Sequence, residues 1–145
     1  MKTWKIKAIL TLLAAFGLMA GLSGCLTVKT TEEANLNGEW LTVEKPDGWD
    51  DQKYIFKGDE LDVYQTTNGK NVHMTTWSLL IFPGGSGTGR ITARCTSDYY
   101  GNPPQKGKTI NMIYNRSGDT LTISFAVEAE NIGSQQYKMG FKLNK

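Results

Sequence analysis

The chain has 145 residues and a formal net charge of +2, a length that suits one domain burying roughly two-thirds of its unfolded surface. Its basic excess is local: Lys2, Lys5 and Lys7 are three of the 16 Lys and Arg, which leaves 13 against 14 acidic residues in the rest of the chain, near −1. No Lys/Arg cluster follows that start, which excludes nucleic acid as a partner.

The first segment is ordered like a secretory signal peptide. Lys2, Lys5 and Lys7 form a positive start, Ala8 to Leu22 an apolar run, and the small residues Ser23 and Gly24 precede Cys25. An apolar run of about 15 residues is short for a spanning helix, which needs about 20. Leu22-Ser23-Gly24-Cys25 resembles the lipobox of bacterial lipoproteins. The resemblance implies that residues 1–24 are removed, that Cys25 takes a diacylglyceryl thioether, and that its new amine is acylated, typically with palmitate. Membrane lipid is then a partner through acylated Cys25. Acyl chains bury about 0.8 kcal/mol per methylene, and three on one residue hold a protein to its membrane. Leu26 stands where an inner-membrane lipoprotein of the enterobacterial type carries Asp, so the resemblance implies the outer membrane of the cell envelope.

Cleavage before Cys25 would leave 121 of the 145 residues. Leu26 to Asn35 is polar, rich in Thr and Glu and without period, so residues 25–35 read as the lipidated cysteine and a tether. Residues 36–145 read as the folded domain. With Cys25 lipidated, Cys95 stands alone and no internal disulfide forms. Ile91, Ala93 and Cys95 alternate on one face, which makes Cys95 a small apolar core residue.

From Leu36 onward the chain is β-like, with short β-branched and aromatic runs punctuated by Gly, Asn and Asp. Eight strands are predicted: Glu39–Glu44, Gln52–Phe56, Glu60–Gln65, Asn71–Phe82, Gly89–Thr96, Thr109–Tyr114, Thr120–Val127 and Gln136–Leu143. Lys57-Gly58-Asp59 and Ser117-Gly118-Asp119 read as tight hairpins, and Asn68-Gly69 favours a type I′ turn. Alternation puts Tyr54 with Phe56, Leu61 with Val63, and Ile110 with Met112 and Tyr114 on buried faces. The same holds for Leu121, Ile123, Phe125 and Val127, and for Tyr137, Met139, Phe141 and Leu143. One buried and one wet face on sequential hairpins predict an all-β, eight-stranded antiparallel meander that closes into a small barrel. Closure also removes exposed strand edges.

Leu36-Asn37-Gly38-Glu39-Trp40 opens the first strand. A G-x-W there, followed by hairpin-linked strands, resembles the lipocalins and the lipocalin-like domains of bacterial lipoproteins. The resemblance implies that Gly38 lets the chain turn into the barrel and that Trp40 plugs its closed end. Thr96-Ser97-Asp98-Tyr99 is similar to the family's T-D-Y motif with one residue inserted. The family's arginine over the Trp is absent from the last strand, which leaves Arg90, Arg94 and Arg116 on earlier strands as candidates.

Chemistry-bearing motifs are sparse. Gly84-Gly85-Ser86-Gly87-Thr88-Gly89 lacks the Lys-Ser/Thr and the following helix of a phosphate loop, so it reads as a hairpin loop. Asp47-Gly48-Trp49-Asp50-Asp51 matches no complete calcium loop, and Trp49 reads as a contact residue at the barrel mouth or at a protein interface. His73, the sole histidine, rules out a multi-His metal site, and no nucleophile elbow accompanies it. No enzyme activity, cofactor or metal is expected. In the loop from Ser97 to Lys108, Tyr99 and Tyr100 offer rigid aromatic contacts beside Pro103-Pro104.

The expected function is binding of a small apolar or amphipathic ligand inside the barrel, lined by Tyr54, Phe56, Met112, Tyr114, Phe125, Tyr137 and Phe141. The alternative is a filled barrel that meets an envelope protein or an incoming hydrolase through Trp49, Tyr99 and Tyr100.

Overall fold

A computed structural model describes residues 27–101, 104–129 and 133–145. The expected signal peptide, Cys25 and Pro103 lie outside the described residues. All eight predicted strands form, each running one to three residues further at one or both ends: β1 (Gly38–Glu44), β2 (Asp51–Lys57), β3 (Glu60–Thr67), β4 (Lys70–Pro83), β5 (Thr88–Asp98), β6 (Thr109–Ser117), β7 (Thr120–Ala129) and β8 (Gly133–Leu143). Each strand pairs antiparallel with the next, and β1 closes the ring on β8 from Trp40↔Leu143 onward.

The turns follow from residue chemistry. Asn68 and Gly69 both hold positive φ, 51° and 72°, the pair a type I′ turn requires. Gly58 and Gly118 take φ of 64° and 58° at the tips of the β2–β3 and β6–β7 hairpins. The β2–β3 and β6–β7 hairpins and the β4–β5 loop gather at one end of the barrel, opposite to the Asn68-Gly69 turn of β3–β4. The longer β1–β2 and β5–β6 connections gather at the other, which forms the mouth.

The hairpin end is closed. β4 outruns β3, whose last pair with it is Glu60↔Ser78, and this leaves the edge of Leu79–Pro83 open to another segment. Residues 27–37 supply it. Lys29 N–H donates to Ile81 O at 2.9 Å, and Thr31 N–H to Gly58 O at 2.8 Å. The segment expected as a tether therefore lies in part against the barrel, with Thr31 0% exposed and Ala34 packed against the core, next to the fully buried Leu36 of the expected domain. Aperiodic sequence concealed this, because the segment docks through its backbone and two side chains.

Trp40 is fully buried above this strap and donates its indole N–H to Leu36 O at 2.8 Å. The guanidinium of Arg116 lies 5.2 Å from its ring centroid and bonds Asn35 O. The expected plug is thus in place, and its cationic partner comes from β6. Phe56, Tyr114 and Phe141 complete a solid layer around it. Packing here is tight: a Cβ at Gly89 would lie 2.6 Å from the Tyr114 ring.

Three bulges fall away from that end. The ladder gains an extra residue at Val43 of β1, at Met74 of β4 and at Thr96 of β5. Bulges bend a strand and raise its local twist, and these shape the wall on the side of the mouth.

Candidate functional site

Above the solid layer the interior is hollow. A cavity of about 350 Å³ opens at the mouth. Tyr54, Leu61 and Val63 on β2 and β3 form one wall, and Trp77, Ala93, Ile110 and Met112 on β4 to β6 form another. Phe125 and Tyr137 close the circuit. Each comes from a strand position of the same parity, which is why alternation brings them together.

Among the described residues no charged side chain lines this cavity. Its polar groups are amides and hydroxyls, and most are already engaged. Trp77 Nε1–H donates to Thr75 Oγ1 at 2.7 Å, the Tyr54 hydroxyl reaches Met139 Sδ at 3.8 Å, and the Tyr137 hydroxyl donates to Gln135 Oε1 at 2.5 Å. Burial pushes the Tyr54 hydroxyl well above the usual tyrosine range, so the ring stays neutral. A surface of this kind favours an apolar, uncharged body, with the amide side chains of Gln52 and Gln105 on its border.

Of the seven residues expected to line the interior, Tyr54, Met112, Phe125 and Tyr137 do so. Phe56, Tyr114 and Phe141 do not. They are 1% exposed each and fill the closed half. Alternation assigns a face, whereas depth along the barrel axis depends on register between strands. Trp77, Val63 and Ile110 were missed as lining residues, although the parity of β3, β4 and β6 places them inside.

Trp49 turns inward over the cavity. Its ring lies 5.1 Å from Tyr137 and 6.3 Å from Phe125, in tilted contacts. The β5–β6 loop borders the same mouth and is organised by Asp98. The Asp98 carboxylate accepts the Gly101 N–H at 2.6 Å and the Gln105 N–H. Those backbone donors, Gln105 first and then Gly101 and Tyr100, hold its carboxyl below the usual carboxylate range. Aspartate bonding to amides a few residues on is the signal that could have marked it. Tyr99 and Tyr100 stand on this loop, 54% and 66% exposed.

A second cluster sits on the outer wall. His73 stacks on Tyr64 with centroids 4.6 Å apart and meets Tyr99 at 4.7 Å. Its Nε2 lies 3.1 Å from both Asp62 Oδ1 and Thr76 Oγ1, while the Thr76 hydroxyl donates to Asp62 at 2.5 Å. In a nucleophile–base–acid relay the imidazole uses its two nitrogens for two different partners. Here one nitrogen meets both, and the hydroxyl proton points at the carboxylate. The arrangement orients His73 and does not activate Thr76. Cys95 is buried and free, its Sγ–H reaching Ser97 O at 3.3 Å. Burial, with Asp98 nearby, pushes its thiol up, which keeps it protonated and inert. Among the described residues no group of three or more His, Cys, Asp or Glu could hold a metal ion.

No family model matches the chain, and no curated protein matches it. Among solved structures, a crystal structure of an LTBP1 LTC4 complex is similar at 12% identity and a TM-score of 0.47, over 83% of this chain and 74% of that one. That likeness is too distant to carry function.

Proposed function

We propose that this chain is a bacterial envelope lipoprotein, held to the outer membrane through acylated Cys25, whose lipocalin-like barrel binds a small apolar or amphipathic ligand. The observation that carries the reading is the cavity of about 350 Å³, walled by aromatic and aliphatic side chains with no charge among the described residues that line it. Ligand sites of roughly 300–1,000 Å³ with a few placed polar groups are the common form of small-molecule pocket. Eight strands enclose an interior that side chains can fill or that one small ligand can share, and here each half of the barrel takes one of those solutions. The reading is non-catalytic.

Anchoring adds a direction. With residues 1–24 removed, only Cys25 and Leu26 would precede Thr27, and two extended residues would reach about 7 Å. The strap would therefore keep the closed end against the bilayer and turn the mouth away from it. The test is native mass spectrometry of the intact lipoprotein, gently extracted from its own envelope. The expected spectrum carries the lipid mass on Cys25 and a further, non-covalent small molecule. A lipidated chain with no retained molecule would contradict the ligand-binding reading, and an unlipidated one the anchor.

Exposure of Tyr99 and Tyr100 favours a second reading, in which these rings contact an envelope protein. Paired Tyr99→Ala and Tyr100→Ala substitutions would then abolish partner capture while leaving small-molecule binding unchanged.

A further inference from the structure

β6 and β7 pair from Ser117↔Thr120 only as far as Met112↔Phe125. Both strands continue toward the mouth, β6 back to Thr109 and β7 on to Ala129. There each is paired on its far side alone. Asn111 and Ile110 pair with Thr92 and Ala93 of β5, and Ala126 and Val127 with Gln136 and Gln135 of β8. Among the described residues, then, the barrel wall is split between these two strands at the mouth.

The split is open space. A hollow of about 450 Å³ lies in it, bordered by Ile110, Asn111, Ala126 and Val127. It shares Gln105, Ile110 and Val127 with the central cavity. On the outside, a groove of about 620 Å³ along β5 to β7 also touches Asn111 and Ala126. The three hollows adjoin one another through these shared residues, from the apolar interior to the outer surface. Their chemistry changes along the way. The cavity is apolar and uncharged, whereas the split adds Lys108, Thr109 and Ser134. Lys108 is the one cation of that lining and, among the described residues, makes no ion pair. The Asp98 carboxylate, which feels the charge of Lys108, already accepts two backbone N–H groups.

We infer that the split between β6 and β7 is the head-group site of a single-chain amphiphile with an anionic head, which lays its chain in the cavity and its head against Lys108. The inference rests on the ligand-binding reading above and names the class of ligand. At roughly 30 Å³ for a water-sized group, the 350 Å³ cavity takes about a dozen such groups, which suits a chain of about ten carbons. An apolar interior alone would select for chain and ignore charge. A cation placed where the interior meets solvent lets the same site select for both, because the head keeps part of its hydration while it gains the ion pair.

The test compares decanoate with 1-decanol, which share a chain and differ in head charge, by calorimetric titration of the full-length chain. Decanoate is expected to bind the wild type more tightly than 1-decanol does. Lys108→Gln is expected to weaken decanoate about tenfold and leave 1-decanol unchanged. Ala126→Trp, at an exposed position bordering the split, is expected to slow decanoate association at least fivefold in stopped-flow tryptophan fluorescence. Both substitutions sit on the surface, so folding is not at stake. Decanoate binding unchanged in Lys108→Gln, or an unchanged association rate in Ala126→Trp, overturns the inference and leaves the cavity reading standing. Failure of both compounds to bind the wild type overturns the two together.

Discussion

At the closed end of the barrel Trp40, Phe56, Tyr114 and Phe141 pack together at no more than 1% exposure, whereas toward the mouth Tyr54, Trp77, Phe125 and Tyr137 stand around a cavity of about 350 Å³. The residues are alike in kind and size, so hydrophobicity does not separate the two halves. Backbone closure does. At the closed end tight hairpins and the strap of residues 27–37 draw the strands together and hold a Trp across the axis. At the mouth, bulges in β1, β4 and β5 and the end of the β6–β7 ladder at Met112↔Phe125 let the wall spread. Dense packing is thus concentrated in one half and open space in the other.

The largest effect is expected from Trp40→Ala. It removes a fully buried ring, its bond to Leu36 O and the face under Arg116. A loss of about 3–5 kcal/mol is expected for such a truncation, measured by denaturant unfolding. A loss below 1 kcal/mol would mean the closed half does not carry the fold. Gly89→Ala probes the same half from the other side. Its methyl would meet the Tyr114 ring, and overpacking of this kind costs about 1–3 kcal/mol.

In the open half the balance should reverse. Trp49→Ala removes two tilted ring contacts, each worth about 0.5–1.5 kcal/mol, so its cost in stability should fall well short of that of Trp40→Ala. Its cost in affinity for an apolar probe should be the greater effect, and equal losses in both assays would erase the distinction between the halves.

The smallest effect is one of pH. The Asp98 carboxyl is held below its usual range in the fold, so its contribution is present above the unfolded pKa of about 4 and is lost as pH falls through the folded value. Wild type and Asp98→Asn should therefore differ in stability near neutral pH and converge below about pH 4. A gap that persists at lower pH would assign the loop's order to something other than that charge.

Strand number, pairing and turn chemistry were legible in the sequence because each is local: alternation fixes which side chains point inward, and Asn68-Gly69 dictates its own turn. Features that depend on distant register were not. The alternation of Tyr54 with Phe56 is unbroken, yet one lines the cavity and the other lies in the solid layer. Arg116 reaches Trp40 across most of the chain's length, so only three-dimensional closure makes it the partner. The strap hides for a different reason, since Lys29 and Thr31 dock through backbone groups that carry no side-chain signature. The split between β6 and β7 is invisible for a related cause: Ile110 and Val127 have ordinary strand character and each pairs on its far side, and only the lack of pairing between the two strands there distinguishes them.

The central claim is that the mouth half is hollow in order to hold a ligand. It is tested most directly by filling that half from within. Val63 and Ile110 face the cavity and are only partly buried, so Val63→Phe with Ile110→Phe should occupy the space with little strain. The measurement is titration with the neutral fluorophore N-phenyl-1-naphthylamine. Saturable binding to the wild type, lost in the double variant while its unfolding transition stays in place, is the expected result. Equal binding by both proteins, or none by the wild type, would contradict it.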